Sequence, residues 1–153
     1  METAFIPEVE GIGFDTTPEQ LIVKLDERNF TLIMPDYSMT PSEITDPVRD
    51  GRKYNRDGSY FFSTLNGIHF SYNADGMLFS ISVEGTDIAT AEGLRAGDSV
   101  EKMRSAYNSG YRKNIENAPV YQYFNGNEYL NIFYEDGLIS AWSISLNPGV
   151  NTD

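Results

Sequence analysis

Ser99-Val100-Glu101-Lys102 spells S-x-x-K, the spacing with which penicillin-recognising serine enzymes place a nucleophile and a lysine one helical turn apart. That chemistry also needs Ser-Asp-Asn and Lys-Thr-Gly elements, and neither tripeptide occurs in the chain. Asp98 and Glu101 explain the same spacing as a helix cap. His69 is the only histidine. To activate a hydroxyl it needs a serine and a carboxylate around it, and Ser71 stands two residues along the same strand face. No nucleophile elbow or oxyanion hole is legible beside it, so an ordinary sheet-face histidine is expected. With one histidine and no cysteine, a transition-metal site would be almost all carboxylate. Asn73-x-Asp75-Gly76 and Glu135-Asp136-Gly137 offer oxygen ligands beside glycine, but the D-x-[DN]-x-[DN]-G loop with its distal glutamate is missing. Hairpin turns ask for the same residue types. Gly11-x-Gly13 lacks the third glycine of a dinucleotide cradle, and no G-x-x-x-x-G-K occurs. Pairs of carboxylates can always be chosen from 23 acids, so without geometry they say little about glycoside cleavage. The expectation is a non-catalytic chain with no cofactor and no metal.

The aromatics carry more weight: ten Tyr, nine Phe and one Trp. Phe70, Tyr72, Tyr134 and Trp142 alternate with aliphatics and read as core. Tyr60, Phe61 and Phe62 are consecutive, so they must cover both faces of a strand. Tyr121 and Tyr123 flank Gln122, and Phe133 lies on the same side of its strand as Asn131. Aromatics stranded on an open face serve a protein-binding sheet as anchors. The competing expectation is that a long segment at about 31–58 folds over that face.

The elements that must position these residues follow from periodicity. Thr16-x-x-Glu19 and Asp98-x-x-Glu101 read as capping boxes, and Pro18 suits a first helical turn. Apolar residues then recur at helical spacing, predicting helices near 17–28 and 99–108, the second stopped by Gly110. Strict alternation predicts strands at Ile68–Tyr72, Met77–Val83, 130–134 and Leu138–Leu146, with further strands at Tyr60–Thr64 and Val120–Phe124. Thr40-Pro41-Ser42-Glu43 can open one short helix. Gly11, Ile12, Glu19, Leu21 and Leu25 correspond to Gly93, Leu94, Glu101, Met103 and Tyr107 at an offset of 82. Leu78, Ile81 and Val83 correspond to Ile139, Trp142 and Ile144 at an offset of 61. The expected fold is therefore α+β. Two tandem helix-plus-β-meander repeats, 11–85 with an insertion at about 31–58 and 86–147, form one antiparallel sheet with helices on one face. Together they make a single domain at 11–147, flanked by terminal segments 1–10 and 148–153.

The net charge of −12, spread along the chain, disfavours nucleic-acid phosphates and anionic membrane and favours a basic partner. No stretch approaches a membrane span, and no basic segment followed by an apolar run opens the chain. The absence of cysteine excludes disulfides and thiolate chemistry but fixes no compartment.

Ala89-Thr90-Ala91-Glu92-Gly93-Leu94-Arg95-Ala96-Gly97-Asp98-Ser99-Val100-Glu101-Lys102-Met103, followed by Tyr107 and a closing meander, resembles a phrase found in Gram-positive cell-envelope proteins of the β-lactamase-inhibitor-protein-like class. That class is akin to small outer-membrane assembly lipoproteins. The resemblance is clearest over 86–146. It implies a tandem repeat whose concave, helix-free sheet face grips another protein at the cell surface or outside the cell. The inhibitor's disulfides have no counterpart here, and no inhibitory loop matches, so β-lactamase does not carry over as target. On this reading the contact surface comprises His69, Ser71, Tyr121, Tyr123, Asn131 and Phe133, floored by Ser80, Ser82, Ala141 and Ser143. Trp142 points the other way, into the core. The alternative is an acidic intracellular inhibitor or decoy, of phage or mobile-element type, that occupies a basic nucleic-acid-binding surface; with Met1 as the native start the chain would be cytoplasmic.

Overall fold

The computed structural model describes residues 5–33, 38–44, 46–47, 58–107, 112–114 and 120–146. Helix α1 spans Pro18–Glu27 and α2 spans Val100–Ala106. Both caps sit one residue later than expected. Pro18 cannot donate a backbone hydrogen bond and takes the first helical position, which makes Thr17 the cap. Its hydroxyl accepts from Gln20 N at 3.2 Å, and Gln20 Oε1 accepts from Thr17 N at 3.0 Å. In α2 the cap is Ser99, accepting from Lys102 N at 3.1 Å. Asp98 instead accepts from Arg95 N at 2.9 Å and pairs with Lys102 Nζ at 3.1 Å. The Arg95 N–H first, and the lysine with it, hold the Asp98 carboxyl below the usual carboxylate range. α2 ends at Ala106, with Tyr107 as its C-cap; Gly110 lies outside the described residues.

The strands are β1 (Leu32–Ile33), β2 (Ser38–Met39), β3 (Tyr60–Thr64), β4 (Ile68–Tyr72), β5 (Leu78–Val83), β6 (Arg112–Asn114), β7 (Val120–Asn125), β8 (Glu128–Glu135) and β9 (Leu138–Ser145). They form one open sheet in the order β2-β1-β3-β4-β5-β9-β8-β7-β6, with every paired neighbour antiparallel. The expected strands are present with ends shifted by one or two residues, whereas β1, β2 and β6 are additional. Thr40–Glu43 forms a 3₁₀ turn over Pro41–Glu43. Most of the rest of the 31–58 segment lies outside the described residues.

The six inner strands, β3-β4-β5 and β9-β8-β7, run symmetrically outward from the β5–β9 junction, and the register across it is symmetric as well. Ile81 pairs with Ile144, and Val83 with Trp142. The two inner hairpins are irregular at corresponding places. Between β4 and β5, the pairs Ser71–Ser80 and Tyr72–Leu78 leave Phe79 unpaired. Between β8 and β9, the pairs Phe133–Ala141 and Tyr134–Ile139 leave Ser140 unpaired. Such bulges re-aim the residues beyond them.

One sheet face carries Leu32, Tyr60, Phe62, Ile68, Phe70, Tyr72, Ile81, Val83, Leu130, Ile132, Trp142 and Ile144, all buried. They share a single core cluster with Leu21 and Leu25 of α1 and with Met103 and Tyr107 of the second helical segment. Tyr60 and Tyr72 stack at 5.2 Å between ring centroids. The Tyr72 hydroxyl donates to Thr16 O at 3.0 Å, tying the sheet to the start of α1. Tyr107 packs on Tyr123 at 5.2 Å and ties α2 to β7. Its hydroxyl lies 2.8 Å from Thr90 Oγ1 and 2.9 Å from Glu92 Oε1. Burial foremost, and the Glu92 charge with it, raise the Tyr107 phenol above its ordinary range.

Candidate binding surface

Cross-strand pairing assigns the opposite face unambiguously, because paired residues share a side of the sheet. Ile33 pairs with Ser63, Ser63 with His69, His69 with Ser82, and Ser82 with Ser143. Asn131 continues that row from Ser143, and Gln122 from Asn131. A second row runs Phe61, Ser71, Ser80, Ser145, Tyr129 and Phe124. Phe133 pairs with Ala141 and Val120 on this same side. His69, Ser71, Asn131 and Phe133 thus lie where expected, above the small residues Ser80, Ser82, Ala141 and Ser143.

Tyr121 and Tyr123 do not. Tyr121 pairs with Ile132 and Tyr123 with Leu130, which puts both on the core side. Tyr123 is fully buried against Tyr107. Tyr121 packs on the Tyr134 ring, and its hydroxyl accepts from Arg104 of α2, whose guanidinium also lies over the ring at 5.2 Å. The flanked residue, Gln122, is the one that faces away from the helices. Period-two alternation fixes which residues share a face but not which face is inside, and a tyrosine row suits either.

Asn131 needs a second correction, since it is fully buried and offers no contact surface. Gln122 Nε2 donates to Asn131 Oδ1 at 2.8 Å, and Asn131 Nδ2 reaches Ser143 Oγ and Ser145 Oγ at 3.2 Å each. This polar ladder crosses β7, β8 and β9, and Gln122, Ser143 and Ser145 are buried with it. Buried amides are tolerated when their hydrogen bonds are made, as they are here. Phe133, Tyr129 and Phe124 lie half-buried around it.

Solvent reaches the other half of the face, over β1, β3, β4 and β5. Phe61 is 48% exposed, Ile33 40% and Leu65, in the following turn, 65%. Between them Ser63 Oγ lies 2.7 Å from His69 Nδ1, and His69 Nε2 lies 3.1 Å from Glu84 Oε1. Sequence reading missed Ser63 and Glu84. The signal that could have found Ser63 is Asn66-Gly67, a tight-turn dipeptide that brings 63 opposite 69. The approach of Gly67 to Gly85 fixes Glu84: a Cβ on Gly85 would meet Asn66 O at 2.0 Å, and Glu84 N donates to Gly67 O at 2.9 Å. The two calcium-like turns are hairpin turns. Asn73 Oδ1 accepts from Asp75 N and Met77 N at 3.0 Å each, and Asp136 and Gly137 both take positive φ. The topology places Glu84, Glu135 and Asp136 at one end of the sheet, and Asp75 and Glu128 at the other.

Among the described residues, no helix is long and apolar enough to cross a membrane. No family model, no curated protein and no solved structure matches the chain.

Proposed function

We propose that the chain is a non-catalytic protein-binding module in which the sheet face opposite α1 and α2 receives a partner with a basic rim. The observation that carries this reading is the pairing of exposed Phe61, Ile33 and Leu65 with a floor of small side chains on that face. Large apolar groups supply anchor area, and serines leave room for a partner's side chains. Carboxylates at both ends of the face, within a net charge of −12, steer a basic surface onto it.

We further propose that the architecture arose from two copies of one helix-plus-meander unit. Supporting this are the caps Thr17 and Ser99 at an offset of 82, the paired bulges at Phe79 and Ser140, and the palindromic register of β5 on β9. On the proposed kinship with the β-lactamase-inhibitor-protein-like class, the partner is met at the bacterial envelope or outside the cell. The alternative partner is a basic nucleic-acid-binding protein inside the cell, which the acidity favours. The identity of the protein bound discriminates between them.

The test is alanine substitution at Phe61 and Leu65, the two most exposed of these apolar groups, measured by surface plasmon resonance against the partner. As anchors, each change weakens binding by more than about 1 kcal/mol, with far-UV circular dichroism unchanged. Unchanged affinity in both moves the site off this face.

A further inference from the structure

We propose that Ser63 is an activated nucleophile that accepts a single acyl group from esters with an apolar acyl chain. The hydrogen-bond chain assigns the protons. An ionised Glu84 carboxylate only accepts, so its partner His69 Nε2 carries the ring hydrogen, 3.1 Å away. His69 Nδ1 is then bare and accepts from the Ser63 hydroxyl at 2.7 Å. A hydroxyl on a basic nitrogen, with a third group orienting the base, is the constellation of an activated nucleophile. The Gly67–Gly85 approach makes Glu84 a positioning residue by holding its backbone against the β3–β4 turn.

Recognition comes from the flanks. Phe61 and Leu65 stand two residues either side of Ser63 on its own strand direction, and Ile33 is its cross-strand partner, all three exposed. Ser63 itself retains 9% exposure, and the His69 side chain 36%. An acyl chain laid across these apolar groups brings its carbonyl carbon to Oγ. In the step, Oγ bonds to the carbonyl carbon as its proton passes to His69 Nδ1. The bond from carbonyl carbon to leaving oxygen then breaks, and His69 returns the proton to the departing alcohol. Ser63 is paired with Ile33 on one side and His69 on the other, so its backbone serves the sheet rather than an oxyanion. That slows both steps, but an activated aryl ester expels a good leaving group whereas the acyl-Ser63 product is an ordinary alkyl ester, so deacylation is the slower step and one equivalent is taken up without turnover. This goes beyond the binding function and stands or falls separately from it.

The experiment is a stopped-flow burst with p-nitrophenyl octanoate on the full chain, followed by intact-mass and peptide mapping. The expected result is one equivalent of p-nitrophenolate and an octanoyl adduct at Ser63. His69→Ala lowers the burst rate about 100-fold, the scale of a general base. Glu84→Gln lowers it while leaving the octanoyl-to-acetyl preference intact, and Phe61→Ala lowers that preference. Glu84 is largely exposed, so the Glu84→Gln comparison holds even where His69→Ala does not fold. An unmodified Ser63 in the wild-type chain overturns the proposal. Equal Ser63 acylation in Glu84→Gln or in folded His69→Ala overturns it as well.

Discussion

Replacing Trp142 by alanine removes the largest side chain at the centre of the sheet. It pairs with Val83 on β5 and with Ile132 on β8, and retains 1% exposure. Truncating such a residue costs about 3–5 kcal/mol, through lost transfer energy and the cavity left among its neighbours. With a urea m-value of about 2 kcal/mol/M, the unfolding midpoint falls by roughly 2 M. Phenylalanine gives a sharper test. Among the described residues the buried Trp142 Nε1 has no hydrogen-bond partner. An unsatisfied buried donor carries a penalty of about 1–3 kcal/mol, which Trp142→Phe removes while keeping most of the ring. The lost area is offset, and the midpoint moves much less than in Trp142→Ala. Trp142 is the only tryptophan, so unfolding in both variants is followed by far-UV circular dichroism. An unchanged midpoint in Trp142→Ala would place the indole outside the core. A loss in Trp142→Phe as large as in Trp142→Ala would refute the argument about the unpaired donor.

Asn131→Ala removes the buried amide that accepts from Gln122 and donates to Ser143 and Ser145, and should destabilise by about 1–3 kcal/mol in the same urea assay. A neutral outcome would mean that solvent reaches the ladder. The Tyr72 phenol is raised above its ordinary range, first by burial and then by Tyr60 and Glu19. Because the folded state holds that proton more tightly, its contribution is complete below about pH 10 and declines as pH rises towards the folded value. Tyr72→Phe therefore starts from a lower midpoint but loses less of it above pH 10; parallel declines would contradict the assignment.

Much of this fold was legible because local signals agreed with one another. Alternation in Ile68–Tyr72 and in 130–134 named the hairpins, and Trp142 fell on the inner face as expected. The capping residues were off by one because two adjacent polar residues compete for each cap, and Pro18 decides the first case only through the position its ring requires. The face of Tyr121 and Tyr123 was not legible. Their strand reads Val, Tyr, Gln, Tyr, Phe; its one aliphatic, Val120, lies on the other face with Gln122 and so marks the wrong side, and pairing with Leu130 and Ile132 is long-range information. Asn131 misled for a related reason: polarity reads as exposure unless the partners that satisfy it, Gln122, Ser143 and Ser145, are known to be neighbours. The Ser63–His69–Glu84 chain likewise exists only once β3, β4 and the Gly67–Gly85 approach are assembled.

A protein partner held on the sheet face opposite α1 and α2 lies within crosslinking reach of that face alone. A photo-crosslinking residue in place of Ser71, at the centre of that face, and one in place of Val23, exposed on α1, test it in lysate of the native host. The Ser71 position is expected to capture one discrete basic protein on illumination, and the Val23 position to capture none. Capture of the same protein from Val23 alone would contradict it.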